Sequence, residues 1–309
     1  MNCFRDVGLS QLPRILGLMD RQPSSDTYGC VDRPFWHYKT TDFSNARMQE
    51  ACLVLTMAFL IDDLHNRFYQ REEMKEWALA AIKFWVKKRH GDGSTDESYP
   101  FEHHFCSTAF TLYSVTETLL RLNLHTLPLG GDDLNNTGRF LLKHHNLDVA
   151  NQMACAAAAL YNLFLITKDK KYEAGYEEKI ARLFKMQDAK GFFNEYGGFD
   201  LGYDSITLSF LADLFKKTGR KDIETAAKKC VNHLSPLIDA DGYYTCDGMS
   251  RETQFLYPFG FLMFAPDILK RMERGISENI ILNPSWMDDR YCIPLTANYL
   301  LTAFEGARQ

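Results

Sequence analysis

Residues 153–166 read MACAAAALYNLFLI, a run without charged side chains in which small and aliphatic residues predominate. A helix that is apolar around its whole circumference must be buried on most sides. The next segment, residues 172–186, reads YEAGYEEKIARLFKM and places apolar side chains on one stripe, with Lys and Glu opposite. That pattern is typical of a helix at the surface of a core. The two neighbouring segments therefore predict an inner helix followed by an outer helix.

The same alternation extends along the whole chain, and the period-2 pattern of strands is nearly absent. The predicted outer helices are Ser10–Met19, Met74–Lys88, Gly131–Lys143, Tyr172–Met186, Lys221–Ser235 and Pro266–Arg274. The predicted inner helices are Arg47–Ile61, Phe105–Leu122, Asn151–Ile166, Tyr203–Phe215, Gln254–Phe264 and Tyr291–Phe304. Six such pairs predict an all-α fold, an (α/α)6 toroid of six outer and six inner helices. One domain spans residues 1–309, because no Pro/Gly/Ser-rich or charged linker divides the chain.

Composition excludes several classes of partner. The 35 basic and 40 acidic residues are interspersed and give a net charge of −5, so no basic stripe favours nucleic acid. The longest apolar runs are too short to span a bilayer, and residues 1–18 lack the continuous apolar stretch of a signal peptide. The eight cysteines are scattered without a Cys-x-x-Cys pair, which favours free thiols and a cytoplasmic location.

The sequence predicts neither a metal nor a cofactor. The adjacent histidines His103-His104 and His144-His145 lack the spacing of metal ligands. No Gly-rich phosphate loop and no Gly-x-Ser-x-Gly elbow occurs. Association of identical chains remains open.

Loop lengths give the toroid two different ends. Loops that lead from an outer to an inner helix are long and hold glycine, aromatic and charged residues, whereas inner-to-outer turns are mostly short. An Asp-x-x-Gly-aromatic-aromatic unit starts at Asp188 and again at Asp239, which supports a helix-pair repeat of about 50 residues. Long loops gathered at one face of a rigid scaffold are where binding is expected.

Five motifs carry a resemblance to a known family. They are YGCVDRPFWHYK at residues 28–39, DFSNAR at 42–47, NQMA at 151–154, EYGGFDLGY at 195–203 and SRETQ at 250–254. Together they resemble heparinase II/III-like toroid proteins found in bacterial gene clusters for surface polysaccharide, lipopolysaccharide or capsule. The resemblance covers nearly the whole chain. It implies a toroid that acts on an acidic or complex bacterial glycan.

A polysaccharide lyase neutralises a uronate carboxylate with a cation or an amide and moves a proton with Tyr or His. The predicted catalytic residues are Tyr203, Arg251, Glu195 and His104. Arg251 lies just before one inner helix and Tyr203 at the head of the preceding one, so we expect them at one rim, where the guanidinium would favour the tyrosinate. The predicted substrate-binding residues are Asp32, Arg33, Trp36, Asn151, Gln152, Tyr196, Asp200, Tyr243, Asp289 and Arg290. We further expect Trp36, Glu195, Tyr203 and Arg251 to line one cleft.

Two other functions compete with lyase or epimerase chemistry. A glycoside hydrolase would use Glu195 with a second carboxylate. A non-catalytic glycan-binding protein would need only the aromatic side chains of the loops, which could equally plug the ring. Arg251 could instead pair with Glu252, and the Asp-Arg doublets at Asp32 and Asp289 are more typical of residues that tie loops together.

Overall fold

The computed structural model describes residues 2–124 and 134–308. In these ranges the helices are α1 (Asn2–Ser10), α2 (Leu12–Leu18), α3 (Ala51–Leu60), α4 (Glu72–Lys88), α5 (Phe105–Arg121), α6 (Asn135–Lys143), α7 (Ala150–Thr167), α8 (Lys170–Lys185), α9 (Leu201–Thr218), α10 (Lys221–Leu234), α11 (Pro258–Phe264), α12 (Pro266–Ser277) and α13 (Asp289–Gly306). The same ranges contain isolated β-bridges but no strand. None of their helices has the length and apolar character needed to cross a membrane.

Six helices close a ring. Helices α3, α5, α7, α9, α11 and α13 each pack against the next, and α13 packs against α3. The others lie outside them: α1 on α13, α2 and α4 on α3, α6 between α5 and α7, α8 on α7, α10 on α9, and α12 on α11. The chain is an all-α (α/α)6 toroid, which confirms the predicted fold class.

Polarity around each helix explains its position. Residues 153–160 of α7 are fully buried, because apolar side chains cover the whole circumference and neighbouring helices surround it. In α8, Tyr172, Ile180 and Leu183 are buried while Lys171 and Glu178 are exposed, so only one stripe faces the ring.

The helix bounds differ from the prediction by four or more residues in four places. Predicted helix Ser10–Met19 is two helices, α1 and α2, and α1 starts early because Phe4 packs edge-on against Tyr299. The inner helix predicted from Gln254 starts at Pro258, a residue suited to the first helical turn. The inner helix predicted from Arg47 begins as a 3₁₀ turn, Ala46–Glu50. Helix Gly131–Lys143 is observed from Asn135, and its predicted residues 131–133 lie outside the described residues.

The repeated Asp-x-x-Gly unit forms the same tight turn each time. The Asp188 amide donates to the Phe192 carbonyl at 2.8 Å and the Gly191 amide donates to the Asp188 carbonyl at 2.9 Å. The Asp239 unit repeats both bonds, and residues 90–94 repeat them with Gly93. This third copy starts with His90 and has Ser94 and Thr95 in place of the two aromatic residues, so the sequence pattern missed it.

The turn glycines let the long loops rest on outer helices. Gly93 has φ +90°, and a Cβ atom there would lie 2.2 Å from the backbone of Asn136 in α6. At Gly191, φ is +109° and a Cβ atom would lie 2.4 Å from the Lys229 carbonyl of α10. Only glycine allows both this backbone conformation and this approach. Each of these loops is thereby fixed to the next outer helix along the ring.

At the opposite, short-turn end, the C-terminal parts of three inner helices hold a charge cluster of the buried residues Glu117, Asn162 and Asp213 and the partly buried Arg121 and Lys217. Lys217 Nζ donates to Glu117 Oε2 at 2.6 Å, to Asp213 Oδ2 at 2.7 Å and to Asn162 Oδ1 at 2.7 Å. Arg121 Nε donates to Glu117 Oε1 at 2.7 Å. Cations at helix C-termini also offset the negative end of the helix dipole.

The two carboxyl groups of the charge cluster are shifted in opposite directions. Burial raises the pKa of Asp213 to about 6, helped by the Glu117 charge and opposed by Lys217. Burial acts on Glu117 in the same direction, but Lys217 and Arg121 outweigh it and lower the pKa of Glu117 to about 2. Glu117 has two cationic partners, whereas Asp213 shares only one of them.

Candidate active site

A polar cleft opens at the long-loop end, where the inner helices begin. Its lining residues are Arg47, Glu97, Ser98, His104, Cys106, Phe110, Asn151, Gln152, Tyr196, Tyr203, Ile206, Arg251, Tyr257, Arg290 and Tyr291. Several stand at or next to helix starts: His104 precedes α5, and Asn151, Tyr203 and Arg290 lie in the first turns of α7, α9 and α13. The N-terminal ends of these helices carry partial positive charge. Backbone dipoles and arginines therefore both favour an anion in this cleft.

Glu97 lies between Arg290 and His104 in the cleft. Arg290 donates from Nη2 to Glu97 Oε1, and His104 Nδ1 lies 3.4 Å from Glu97 Oε2. Burial opposes ionisation of Glu97, but His104, Arg47 and Arg290 together hold its pKa well below the usual range. Because Nδ1 of His104 faces this carboxylate, Nε2 is the ring nitrogen left for a substrate.

Arg47 is the most buried cation of the cleft. Its Nε pairs with Glu50, and its guanidinium lies 4.1 Å from the centre of the Phe110 ring. Burial raises the pKa of Glu50, and the Arg47 charge opposes this rise. Since Arg47 and Arg290 both have a carboxylate partner, their charges are largely neutralised within the protein.

Arg251 differs from these two arginines. Within residues 2–124 and 134–308 no carboxylate lies within 4.0 Å of it, so the pairing with Glu252 considered above is not formed. Its guanidinium lies 4.6 Å from the centre of the Tyr196 ring, and the Tyr196 and Tyr203 rings are 6.1 Å apart. Arg251 thus brings an exposed positive charge to a group of tyrosines.

Tyr203 is held in its protonated form. Burial raises its pKa, and Tyr291 and Tyr196 add to this effect. Arg251 acts in the opposite direction, as expected, but is outweighed. The effect of Arg251 has the expected direction, but the sequence could not show how deeply the hydroxyl is buried; with its pKa raised, Tyr203 is protonated and can donate a proton at neutral pH.

Asp200 explains why Arg251 and Tyr203 meet. Its Oδ1 accepts from the Tyr203 amide at 2.9 Å and caps α9. Its Oδ2 accepts from the amides of Arg251 and Thr253, each at 3.2 Å. The fully buried Asp200 does not line the cleft but fixes the backbone of two residues that do.

Glu195 also lies outside the cleft, in contrast to the expectation. It is fully buried and accepts from the Asn151 amide at 2.7 Å and from Asn151 Nδ2 at 2.8 Å. Burial, followed by repulsion from Asp204, raises its pKa well above the usual range. Glu195 therefore ties its loop to the first turn of α7, and this bond orients Asn151 at the cleft wall.

Residues of the first long loop face α2 rather than the cleft. Asp32 Oδ2 accepts from the Asn45 amide, Arg33 Nη1 donates to the Gly17 carbonyl, and Trp36 Nε1 donates to the Leu18 carbonyl, all at 2.7 Å. Burial raises the pKa of Asp32. The cleft expected to contain Trp36 does not contain it, because the indole is turned toward the loop's own scaffold.

The remaining predicted residues divide between the cleft and the surface. Gln152 lines the cleft, and its Oε1 accepts from Asn146 Nδ2 at 2.9 Å, which leaves the Gln152 amide donors for a substrate. Asp289 accepts from Arg14 Nε at 2.7 Å and ties α13 to α2. Tyr243 is exposed in a separate groove.

Thus the structure brings seven predicted residues together in the cleft: His104, Asn151, Gln152, Tyr196, Tyr203, Arg251 and Arg290. Sequence reasoning missed Arg47, Glu97 and Tyr291. Arg47 and Tyr291 stand near the start of inner helices, so position along the repeat could have revealed them. Glu97 lies in a loop, and its position along the repeat did not mark it as a cleft residue. Among the described residues, no group of three or more His, Cys, Asp or Glu side chains is arranged to hold a metal ion.

Comparison with known proteins gives a fold relative. No protein-family model matches the chain, and no curated protein matches it. One solved structure that does match is that of a polysaccharide lyase, with a TM-score of 0.58 and 13% sequence identity. The alignment covers 99% of this chain and 98% of that one. The chain therefore shares the fold of that structure.

Proposed function

We propose that this protein is a carbohydrate-active enzyme that binds an acidic glycan in the polar cleft and performs lyase or epimerase chemistry on it. The observation that carries the proposal is the position of Arg251. Its exposed, unneutralised charge lies beside protonated Tyr203, in a cleft that also contains His104. The lyase name of the fold relative and the resemblance to proteins of bacterial surface-polysaccharide clusters agree with this proposal.

Arg251 would bind the substrate carboxylate. A guanidinium offers two parallel donors that match a carboxylate, and the donors of Gln152 extend the same surface. Neutralising the carboxylate stabilises the carbanion-like state formed when the neighbouring C–H bond breaks. Arg47 and Arg290, already paired with Glu50 and Glu97, would hold the cleft in shape.

His104 and Tyr203 would transfer the protons. His104 Nε2 takes the proton from the carbon next to the carboxylate, and that electron pair forms a carbon–carbon double bond. The bond to the leaving sugar oxygen breaks, and this oxygen receives the Tyr203 proton. In an epimerase the leaving bond stays intact and the carbanion is protonated from the opposite side. Such general acid and base groups each contribute about 10²–10⁴-fold in rate.

Hydrolysis through Glu195 finds no support in the geometry, since its buried carboxyl is bonded to Asn151 and does not reach the cleft. Non-catalytic binding is the alternative that an assay must exclude. All eight cysteines are unpaired, in keeping with the proposed cytoplasmic location.

The test is a panel of uronate-containing and neutral glycans, with ultraviolet absorbance of the unsaturated uronate and release of reducing ends followed together. We expect both signals with an acidic glycan. His104→Gln and Tyr203→Phe should each lower kcat by about a hundredfold or more. Tyr243→Phe, outside the cleft, serves as the matched control.

Other outcomes would contradict lyase chemistry. Reducing ends without absorbance would identify a hydrolase, and an inverted carbon without chain cleavage would identify an epimerase. Binding that survives His104→Gln, with no reaction in the wild type, would identify a glycan-binding protein.

A further inference from the structure

A second cavity, here called the side pocket, lies beside the polar cleft. It encloses about 350 Å³ between residues 42–49, the end of α4 and the loop 89–104. Phe84 and Trp85 form a buried floor, and Phe43 and Phe101 stand at its walls. Its volume lies within the ~300–1,000 Å³ range of small-molecule pockets. An apolar, aromatic cavity thus adjoins a charged one.

The two cavities share one thin wall. Ala46 and Asp96 line the side pocket, whereas the next residues, Arg47 and Glu97, line the polar cleft. The Ala46 amide donates to the Asp96 carbonyl at 3.0 Å, which joins the two wall segments. Successive side chains of these segments thus serve opposite cavities, so the wall is a single backbone layer.

The rim of the side pocket presents an aromatic ring at some conformational cost. Phe101 is 80% exposed and has φ +60°, an uncommon and strained conformation for a bulky residue. The Asp96 carboxylate holds it there by accepting from the amides of Phe101, Glu102 and His103 at 2.9, 2.8 and 3.1 Å. The loop is therefore built to keep this ring at the pocket entrance.

The polar groups of the side pocket favour a ligand with a neutral hydrogen-bond acceptor over an anion. Lys88 Nζ lies 4.7 Å from the Phe35 ring centre and 5.7 Å from that of Phe84. Asp42 and Asp96 line the same cavity, so their charges oppose a phosphate or a sulfate. The other basic side chain of the cavity, His90, is bonded to Asp96 Oδ1 at 2.8 Å, so the Lys88 ammonium, close to the Phe84 ring, is the donor that matches a carbonyl oxygen joined to a small apolar group.

We propose that the side pocket binds an acylated sugar unit next to the acidic unit in the polar cleft. The acyl methyl group packs on Phe84 and Phe101, and the acyl oxygen accepts from Lys88. The inference rests on the proposed function for the identity of the glycan, but occupancy of the side pocket can be measured without turnover.

The binding test uses N-acetylglucosamine and glucosamine as probes in saturation-transfer NMR. We expect the acetyl methyl to receive saturation from the protein, and Ser44→Trp, which fills the side pocket, to abolish the signal. Thr245→Trp in a separate groove is the matched control and should retain it. Phe101→Ala, at an exposed site, should weaken the signal without unfolding. An absent methyl signal in the wild type, or one unchanged in both side-pocket variants, would overturn the proposal.

The specificity test uses a glycan that the protein processes, before and after enzymatic removal of its acyl groups. We expect kcat/KM to fall at least about tenfold on de-acylation, the size of a lost apolar contact. In Ser44→Trp the ratio between the two glycans should approach one. If no glycan reacts, the proposed function fails while the NMR result still stands. If glycans react with no acyl preference, the side-pocket inference fails alone.

Discussion

The charge cluster at the short-turn end allows a matched pair of substitutions, Glu117→Gln and Asp213→Asn. Each replaces a carboxyl group bonded to Lys217 by an amide of nearly the same shape. The pKa of Glu117 falls from 4.5 to about 2 in the fold, and that of Asp213 rises from 3.8 to about 6. Lys217 and Arg121 favour the ionised form of Glu117, whereas burial and the Glu117 charge disfavour the ionised form of Asp213, so the two carboxyl groups affect stability with opposite signs.

The two variants should therefore differ at pH 7. Glu117→Gln should lower the free energy of unfolding by about 3–5 kcal/mol, the usual cost of removing one partner from a buried ion pair. Asp213→Asn should leave it unchanged or raise it, because burial and the Glu117 charge make an ionised Asp213 unfavourable in the fold. The Glu117 contribution is complete above its usual pKa and is lost as the pH falls toward its folded value. The Asp213 cost is absent below its usual pKa and complete above about 6.

Urea and thermal unfolding at pH 7 and near pH 4 will measure both effects. For 309 residues the unfolding entropy is about 0.65 kcal/mol per degree, so 3 kcal/mol corresponds to about 5 °C in Tm. At the lower pH the Asp213→Asn difference should nearly vanish. Equal losses of stability in both variants at pH 7, or a difference between them that does not depend on pH, would refute the reasoning.

Three further predictions concern the long-loop end. Glu195→Ala should lower the free energy of unfolding by about 2–5 kcal/mol, because two buried donors at the start of α7 lose their acceptor. An unchanged free energy of unfolding together with abolished turnover would instead make Glu195 catalytic. Gly93→Ala should lower Tm by several degrees, because the new Cβ atom would meet the α6 backbone. Gly91→Ala, which has open space around it, is the control, and equal Tm values for the two variants would contradict this account. Glu97→Gln should lower kcat at least about tenfold without raising KM for an acidic glycan, because His104 loses the carboxylate that holds it. If steady-state kinetics show a change in KM only, Glu97 does not position the base.

The fold was predictable because helix polarity is a local property. The contrast between residues 153–166 and 172–186 reports burial without knowledge of any partner. The proximity of Arg251 and Tyr203 followed from the repeat, since residues near the start of consecutive inner helices share one rim. Both inferences needed only the order of elements along the chain.

Side-chain direction was beyond the reach of the sequence. The sequence places Glu195 among glycines and tyrosines, a setting typical of a catalytic residue. In the structure its hydrogen bonds to Asn151 direct the carboxyl group away from the cleft. Glu97 pairs with Arg290, 193 positions away, and no local pattern marks that contact. The indole of Trp36 donates to the Leu18 carbonyl of α2, and no local pattern marks that contact either.

The packing of α13 against α3 and α1 has a consequence for how the molecule is made. During synthesis the ring cannot close until residues near 300 leave the ribosome, although α3 is translated within the first sixty. Until then α3 exposes the apolar surface that α13 later covers. An open solenoid can gain or lose a repeat at its end, but a closed ring cannot do so without a change in its curvature. Loss of α13 should therefore open the whole ring rather than shorten it by one repeat. Nascent chains stalled before α13 should be bound by chaperones.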